Sequence, residues 1–207
     1  MKKILLSFFA FLLTGFVYSQ SFEGVIEFKI ESPGIDESMK SMMPKKTTSF
    51  IKDQKVRTEM DNPMTGKSIT IVDNEQKKVF QLMNMGGAKK CIVIDIDDED
   101  ENKESEINKL EETKEIAGYT CKKVEIIQDE NITIAWVTDE IQAPANRKFN
   151  EKLDGFPLSY EVENNGITMI MTATNVEEKR VNDSKFVVPQ GYEKISMEKA
   201  QQMMMGQ

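Results

Sequence analysis

Methionine is the residue whose number and spacing first suggest chemistry in this chain. Fourteen occur, with local groups at Met39/Met42/Met43, Met83/Met85, Met169/Met171 and Met203–Met205. Grouped thioethers have three uses: they fill irregular space in a core, they line an adaptable surface for varied apolar ligands, or they hold Cu(I), which selects soft sulfur. Core filling is the plainest of the three, and the sequence leaves the other two open. Cys91 and Cys121 are the only cysteines. If the strands on either side of the acidic segment between them fold back about Glu106, the two fall opposite each other. Opposed residues in an antiparallel pair bring Cβ atoms to about 4.5–5.5 Å, whereas a disulfide wants about 3.5–4.5 Å. A bridge and a pair of separate buried thiols both stay open.

Other chemistry is harder to find. The chain has no histidine, which removes the commonest general base and the commonest transition-metal ligand together. Asp and Glu number 35, too many for a catalytic pair to be singled out, and most read as solvated strand faces. The run Asp95-Ile96-Asp97-Asp98-Glu99-Asp100 superficially matches a calcium loop. Asp100, however, stands where the tight turn of such a loop needs glycine, so a solvated loop is the better reading. There is no nucleophile elbow and no glycine-rich phosphate loop. The expectation is a protein that is not an enzyme and carries no cofactor and no metal.

The elements that would position these residues are mostly strands. Phe22 to Glu31 alternates, with Ile26, Phe28 and Ile30 on one face and Glu27, Lys29 and Glu31 on the other, as a half-buried strand does. Further strands are expected at Thr47–Lys52, Lys55–Met60, Lys67–Asp73, Lys77–Met83, Lys89–Ile96, Cys121–Gln128, Ile132–Thr138, Leu158–Glu163 and Ile167–Val176. Short polar turns join many of them, which makes neighbours antiparallel. Without a crossover helix between any two, a parallel sheet is disfavoured. Asn165-Gly166 favours a two-residue turn that sets Val162 opposite Met169, Tyr160 opposite Met171 and Leu158 opposite Ala173. The acidic segment Asp97–Glu112 is expected to separate two strands without burying itself. Trp136 shares a face with Ile132 and Ile134 and reads as core, or as cavity lining if the sheet curls. Helix is expected only at Ile35–Met43, stopped by Pro44, and after Ser196, where Met197, Ala200, Gln201 and Met204 share one side.

The two ends and the charge bound the address. Lys2 and Lys3, the apolar run Ile4–Val17, and Ser19 before Gln20 have the three parts of an export signal. Cleavage is expected after Ser19, giving a signal peptide over 1–19 and a single β-rich domain over 20–207. The apolar run falls short of the ~20 residues that span a bilayer, and no later stretch is long or apolar enough. The product is expected to be soluble in the periplasm or outside the cell, not membrane-spanning. The formal net charge of −8 becomes more negative by two on losing those lysines, which opposes nucleic acid and anionic lipid surfaces alike.

Two stretches carry a family resemblance. One is Ile116-Ala117-Gly118-Tyr119-Thr120-Cys121-Lys122-Lys123-Val124, and the other is Phe186-Val187-Val188-Pro189-Gln190-Gly191-Tyr192. With the signal and the opening strand, they resemble the exported bacterial family known as domain of unknown function 4412. The ending Phe-x-x-Pro-x-Gly is also similar to the closing strand of the Lol-type periplasmic lipoprotein carriers. That resemblance implies a strongly curved antiparallel sheet, an unclosed half-barrel, with a few short helices covering its open face. It further implies acyl chains held between sheet and helices, with Met39, Met42 and Met43 on a covering segment between the first two strands. The expected function is non-enzymatic binding or carriage of a lipid or other apolar molecule. Met39, Met42, Met43, Trp136, Tyr160, Met169 and Met171 are the expected lining, and Gly118, Pro189 and Gly191 are expected to be structural. The alternative is an envelope interaction module that binds another protein and no small ligand.

Overall fold

The computed structural model describes residues 21–64, 66–85, 87–96, 106–128, 131–143, 153, 155–164 and 166–205. The expected signal over 1–19, the calcium-like run beyond Ile96, and Asn165 of the expected turn lie outside the described residues. In chain order the strands are β1 (Gly24–Glu31), β2 (Lys46–Lys52), β3 (Lys55–Asn62), β4 (Gly66–Asp73), β5 (Lys78–Met85), β6 (Ala88–Asp95), β7 (Glu106–Ile116), β8 (Tyr119–Gln128), β9 (Asn131–Thr138), β10 (Phe156–Asn164), β11 (Ile167–Glu178) and β12 (Glu193–Ser196). Among the described residues there are two short α-helices, α1 (Glu37–Lys40) and α2 (Met197–Met204), and one 3₁₀ turn at Asp183–Phe186. All twelve strands join one sheet in the order β12-β6-β5-β4-β3-β2-β1-β11-β10-β9-β8-β7, which does not close into a barrel.

The sheet is strongly bent. β7 and β11 stand four places apart in that order, roughly 19 Å across a flat sheet at the usual strand spacing, yet they approach within 8 Å, Cα to Cα. Bulges supply the curvature, since an extra residue on one strand bends it and increases its twist. The register slips in β1/β11 at Glu27–Phe28, in β9/β10 at Pro157–Ser159 and in β7/β8 at Lys109–Thr113. The ladders from β2 to β6 run without a slip. Small residues sit where the inner face is tightest. Ala135 and Ala173 are buried there, and a Cβ on Gly24 would lie 2.4 Å from the Glu177 carbonyl oxygen. The main core then forms on the inside of the bend, from Ile26, Phe28, Ile51, Val56 and Val72 on one wing and Val124, Ile126, Val137 and Leu158 on the other.

The expected β10–β11 hairpin has the register read from the sequence, with Tyr160 opposite Met171, Val162 opposite Met169 and Ser159 opposite Thr172. Two strands were not expected. β7 occupies part of the segment assigned to a solvated spacer. It lies at the sheet's edge and is charged along most of its length, as edge strands are when they must resist pairing with another chain. β12 runs parallel to β6, a pairing that the sequence disfavoured. The argument from crossover helices concerns strands close in sequence, and these two are joined by most of the chain.

β12 reaches its place by a strap, residues 179–192, that crosses the outer face from β11 to the far edge. Lys179 N–H donates to the Glu23 carbonyl at 3.1 Å, and Val181 N–H donates to a Glu23 carboxylate oxygen at 2.7 Å. Val188 and Tyr192 then pack on Ile69, Ile71, Leu82 and Cys91, a second apolar cluster on that face. The Phe186–Tyr192 stretch, compared above with a closing strand, therefore belongs to this strap and leads into β12 instead. At the edge, α2 turns back onto the inner face, where Ala200 meets Ile92 and Ile195. Ser196 caps the helix as expected, accepting from Lys199 N–H at 3.3 Å.

Charge pins the middle of the strap. Arg57 is buried, donating through Nη1 to the Lys185 carbonyl at 2.8 Å and through Nε to Glu59 Oε1 at 2.7 Å. Lys67 meets Glu59 Oε2 at 2.5 Å, and Lys185 meets Oε1 at 3.3 Å while its ammonium lies 4.0 Å from the Phe50 ring centroid. Burial raises the Glu59 pKa, but the hydrogen bonds from Lys67, Arg57 and Lys185 and the Arg57 charge outweigh it and bring it down to about 2.

Two predictions follow from these contacts. Because the folded-state pKa of Glu59 is depressed from 4.5 to about 2, its stabilisation is whole above 4.5 and is lost as pH falls toward 2. Glu59→Gln should cost about 2 kcal/mol at neutral pH and flatten the acid limb of the stability curve; an unchanged limb in urea titrations would show that the network does not hold the strap. The β7–β8 turn has positive φ at both Ala117 (51°) and Gly118 (87°), the pattern of a two-residue hairpin loop. A Cβ on Gly118 meets nothing within 4 Å, so the cost of Gly118→Ala is purely conformational, about 1 kcal/mol. Ala117→Gly should shift the thermal midpoint in the opposite direction.

Candidate functional site

The loop between β1 and β2 frames a concavity at one end of the sheet. It leaves the sheet at Ser32-Pro33, turns at Gly34 (φ 79°) and carries α1 before returning at Pro44 and Lys45. Ile30 N–H donates to the Lys45 carbonyl at 2.9 Å and closes the loop at its base. The helix is short for local reasons. Asp36 sits at its N-cap position without a side-chain capping bond, and Pro44 forbids continuation. Glu37 in the first turn and Lys40 in the last suit the helix ends and pair with each other at 2.7 Å.

Between this loop and the ends of β1 and β11 lies a cleft of about 560 Å³. Ile30, Pro33, Met43, Pro44 and Ile170 give it apolar walls, and Glu31, Ser32, Lys40 and Lys45 give it a polar rim. That volume falls within the ~300–1,000 Å³ typical of small-molecule sites. Ile30 pairs in register with Met171, which pairs with Tyr160. The cleft therefore adjoins the inner face along one row of the sheet.

The expected lining residues divide. Met43 lines the cleft. Met171 and Val162 are partly buried against the main core, and Tyr160 is buried in it, its ring meeting Phe28 edge-on at 6.1 Å. Met169, the register partner of Val162, is half-buried on the same face. Met39 and Met42 are 47% and 49% exposed, and α1 buries no residue. The methionine segment thus lies between the first two strands, as expected, but does not roof the sheet. Its four helical residues are too few to present a continuous apolar stripe. Trp136 packs against the main core, as the core reading expected, but is only partly buried. The buried apolar residues of β9 are Ala135 and Val137, with Thr138 buried beside them, whereas Ile132 is 60% exposed. Trp136 stands on the other side of the strand from the buried pair, half-buried, with the Lys114 ammonium 5.6 Å from its ring centroid. Both faces of β9 carry apolar side chains, and the crowded inside of the bend takes the smaller set.

The inner face has polar residues that the sequence reading missed. Ser49, Thr58, Thr70 and Gln81 follow one another across β2 to β5 in register. Ser49 and Thr58 hydroxyls lie 3.3 Å apart, and the buried Thr47 donates to the Glu59 carbonyl at 3.1 Å. The signal was present in the alternation of β2, whose inward positions are Thr47, Ser49 and Ile51. One wing of the trough is therefore apolar and the other carries hydroxyls. For metals, no three His, Cys, Asp or Glu side chains come together in a suitable group among the described residues.

The cysteines do not pair. Cys91 lies on β6, next to one edge of the sheet, and Cys121 on β8, next to the other. Both are fully buried free thiols in different apolar clusters. The fold-back about Glu106 fails because β6 and β7 stand near opposite edges instead of pairing. Burial raises both thiol pKa values, that of Cys121 to about 11 with a further contribution from Glu140.

A family model described as a domain of unknown function (DUF4412) matches residues 22–146, more than half of the chain. The protein belongs to the DUF4412 family. The matched DUF4412 region begins before β1 and runs past β9, so it contains the cleft loop and the Ala117-Gly118 turn. No curated protein matches the chain. Among solved structures, PNGF-II aligns over 89% of this chain with a TM-score of 0.58 at 16% identity. This chain spans about a third of PNGF-II, 33% of its length, and the likeness is one of fold. The Mycobacterium tuberculosis lipoprotein LppX aligns over 77% of this chain and 89% of its own, with a TM-score of 0.41 at 6% identity. LprF from Mycobacterium bovis aligns over 77% and 88%, with a TM-score of 0.32 at 10% identity. No helix among the described residues is long and apolar enough to cross a membrane.

Buried thiols with raised pKa values are poor nucleophiles. In the native protein a thiol-disulfide reagent should label neither cysteine at neutral pH over minutes, and after denaturation without reductant it should label both. A single slow unfolding-limited phase is expected. Rapid native labelling, or no free thiol after unfolding, would contradict the buried, unbridged arrangement.

Proposed function

We propose that this protein is a non-enzymatic binding or carrier protein for a lipid or other apolar molecule, working outside the cytoplasm after loss of residues 1–19. The observation that carries the reading is the cleft of about 560 Å³ walled by Ile30, Pro33, Met43, Pro44 and Ile170. A cleft of that volume, with apolar walls and a few polar groups at its rim, has the usual form of a small-molecule site. The unclosed sheet supports the reading because the cleft residue Ile30 pairs in register with Met171, so the cleft abuts the inner face. The loop that covers the cleft is tied to the sheet at its base by the Ile30–Lys45 hydrogen bond, while α1 buries nothing. Such a loop can swing without breaking the core. One acyl chain gains ~0.8 kcal/mol per buried CH₂, so about ten carbons suffice for micromolar affinity.

Native mass spectrometry on protein purified from its own host should show a co-purifying apolar molecule that is lost on delipidation and regained on addition of lipid extract. Met43→Asp should lower retention about tenfold or more, the cost of replacing one buried apolar contact with a charge, without moving the thermal midpoint by more than a few degrees. A clean apo mass that takes up nothing from the extract would sink the reading.

A further inference from the structure

The rim of the cleft carries more information than its walls. Lys40 and Lys45 both line it, together with one carboxylate, Glu31. The Glu31 charge is answered outside the cleft by Lys29 at 2.8 Å. Lys40 is answered in part by Glu37 at 2.7 Å, and Glu37 is held below its ordinary pKa first by the Lys40 hydrogen bond and charge and then, at longer range, by Lys45. Lys45 is exposed and has no ion-pair partner among the described residues. The cleft mouth therefore keeps about one uncompensated positive charge, on a chain whose formal net charge is −8.

Resting on the cleft as the ligand site, we propose that its ligand is a single-chain anionic amphiphile, an acyl carboxylate. Its chain lies along Ile30, Pro33, Pro44 and Ile170, and its head group meets Lys40 and Lys45. One spare positive charge matches a monoanion. The cleft lining includes no arginine, the residue whose planar fork makes bidentate bonds to phosphate, and a pair of flexible ammonium groups suits a carboxylate. The apolar walls are five side chains, two prolines, two isoleucines and Met43, a small area that favours one chain over a bundle of them.

Isothermal titration of the intact protein with decanoate, 1-decanol and decyltrimethylammonium, all kept below micelle formation, separates head group from chain. Decanoate is expected to bind about fivefold more tightly than 1-decanol, as one partly exposed charge pair allows, and the cation is expected to bind weakest. In the Lys40→Gln/Lys45→Gln variant, checked for an unchanged thermal midpoint, the decanoate advantage should vanish while 1-decanol affinity stays. Equal binding of decanoate and 1-decanol by the unmodified protein would overturn the head-group assignment and leave the apolar cleft standing. So would an advantage that survives in the variant. Should none of the three bind, the cleft reading fails, and this inference fails with it.

Discussion

The bend of the sheet is the constraint from which the remaining structure follows. A flat ribbon of twelve strands would leave Ile26, Ile51 and Leu158, each fully buried here, facing water at about 1.5–3 kcal/mol apiece. The helices among the described residues are short, and α2 reaches that face only beside β6 and β12. The sheet covers it with itself. Three bulges, all on the β1 and β7–β11 side, fold one wing over the other. The alanines and Gly24 on the inside let the backbones come close enough to exclude water.

The strap completes what the bend cannot reach. Curling buries the inner face but leaves the outer face of β4–β6, with Ile69, Ile71 and Leu82, uncovered. Residues 179–192 are about long enough, at roughly 3.3–3.6 Å per extended residue, to cross the seven inter-strand steps of about 4.8 Å from β11 to β12. They cross apolar ground with Val188 and Tyr192 and charged ground with the Lys185 carbonyl and ammonium. Glu59, the centre of that charged ground, ties the strap to β3 through Arg57 and Lys185.

Much of the strand pattern was legible in the sequence because most strands have one wet and one dry face, and period-two alternation records that directly. The β10–β11 register was readable for the same reason, reinforced by a turn dipeptide. β7 was not, because an edge strand has little to bury and its charges resemble those of a loop. The facing of β9 was misread because both its faces are apolar, and size, which decided the outcome, counts only once the curvature is known. The site was legible only in part. Met43 was found through its neighbours Met39 and Met42, which turn outward. Ile30 and Ile170 were taken as ordinary strand residues, and Lys45 passed unnoticed beside Pro44. A cleft made where a loop meets two strand ends distant in sequence leaves no periodic trace.

The pairing of β12 with β6 bears on how the molecule comes into being. Lys90 and Glu193, which meet there at 2.5 Å, are 103 residues apart, while the β7–β8 hairpin at the opposite margin closes over a two-residue loop. A chain that emerges from its N-terminus can zip one border locally and early. The other border stays open until β12 docks, and until then β6 offers an unpaired row of backbone donors and acceptors to any neighbouring strand. Once in place, the four residues of β12 occupy that row along Lys90–Val93 and leave a much shorter margin exposed than β6 itself would.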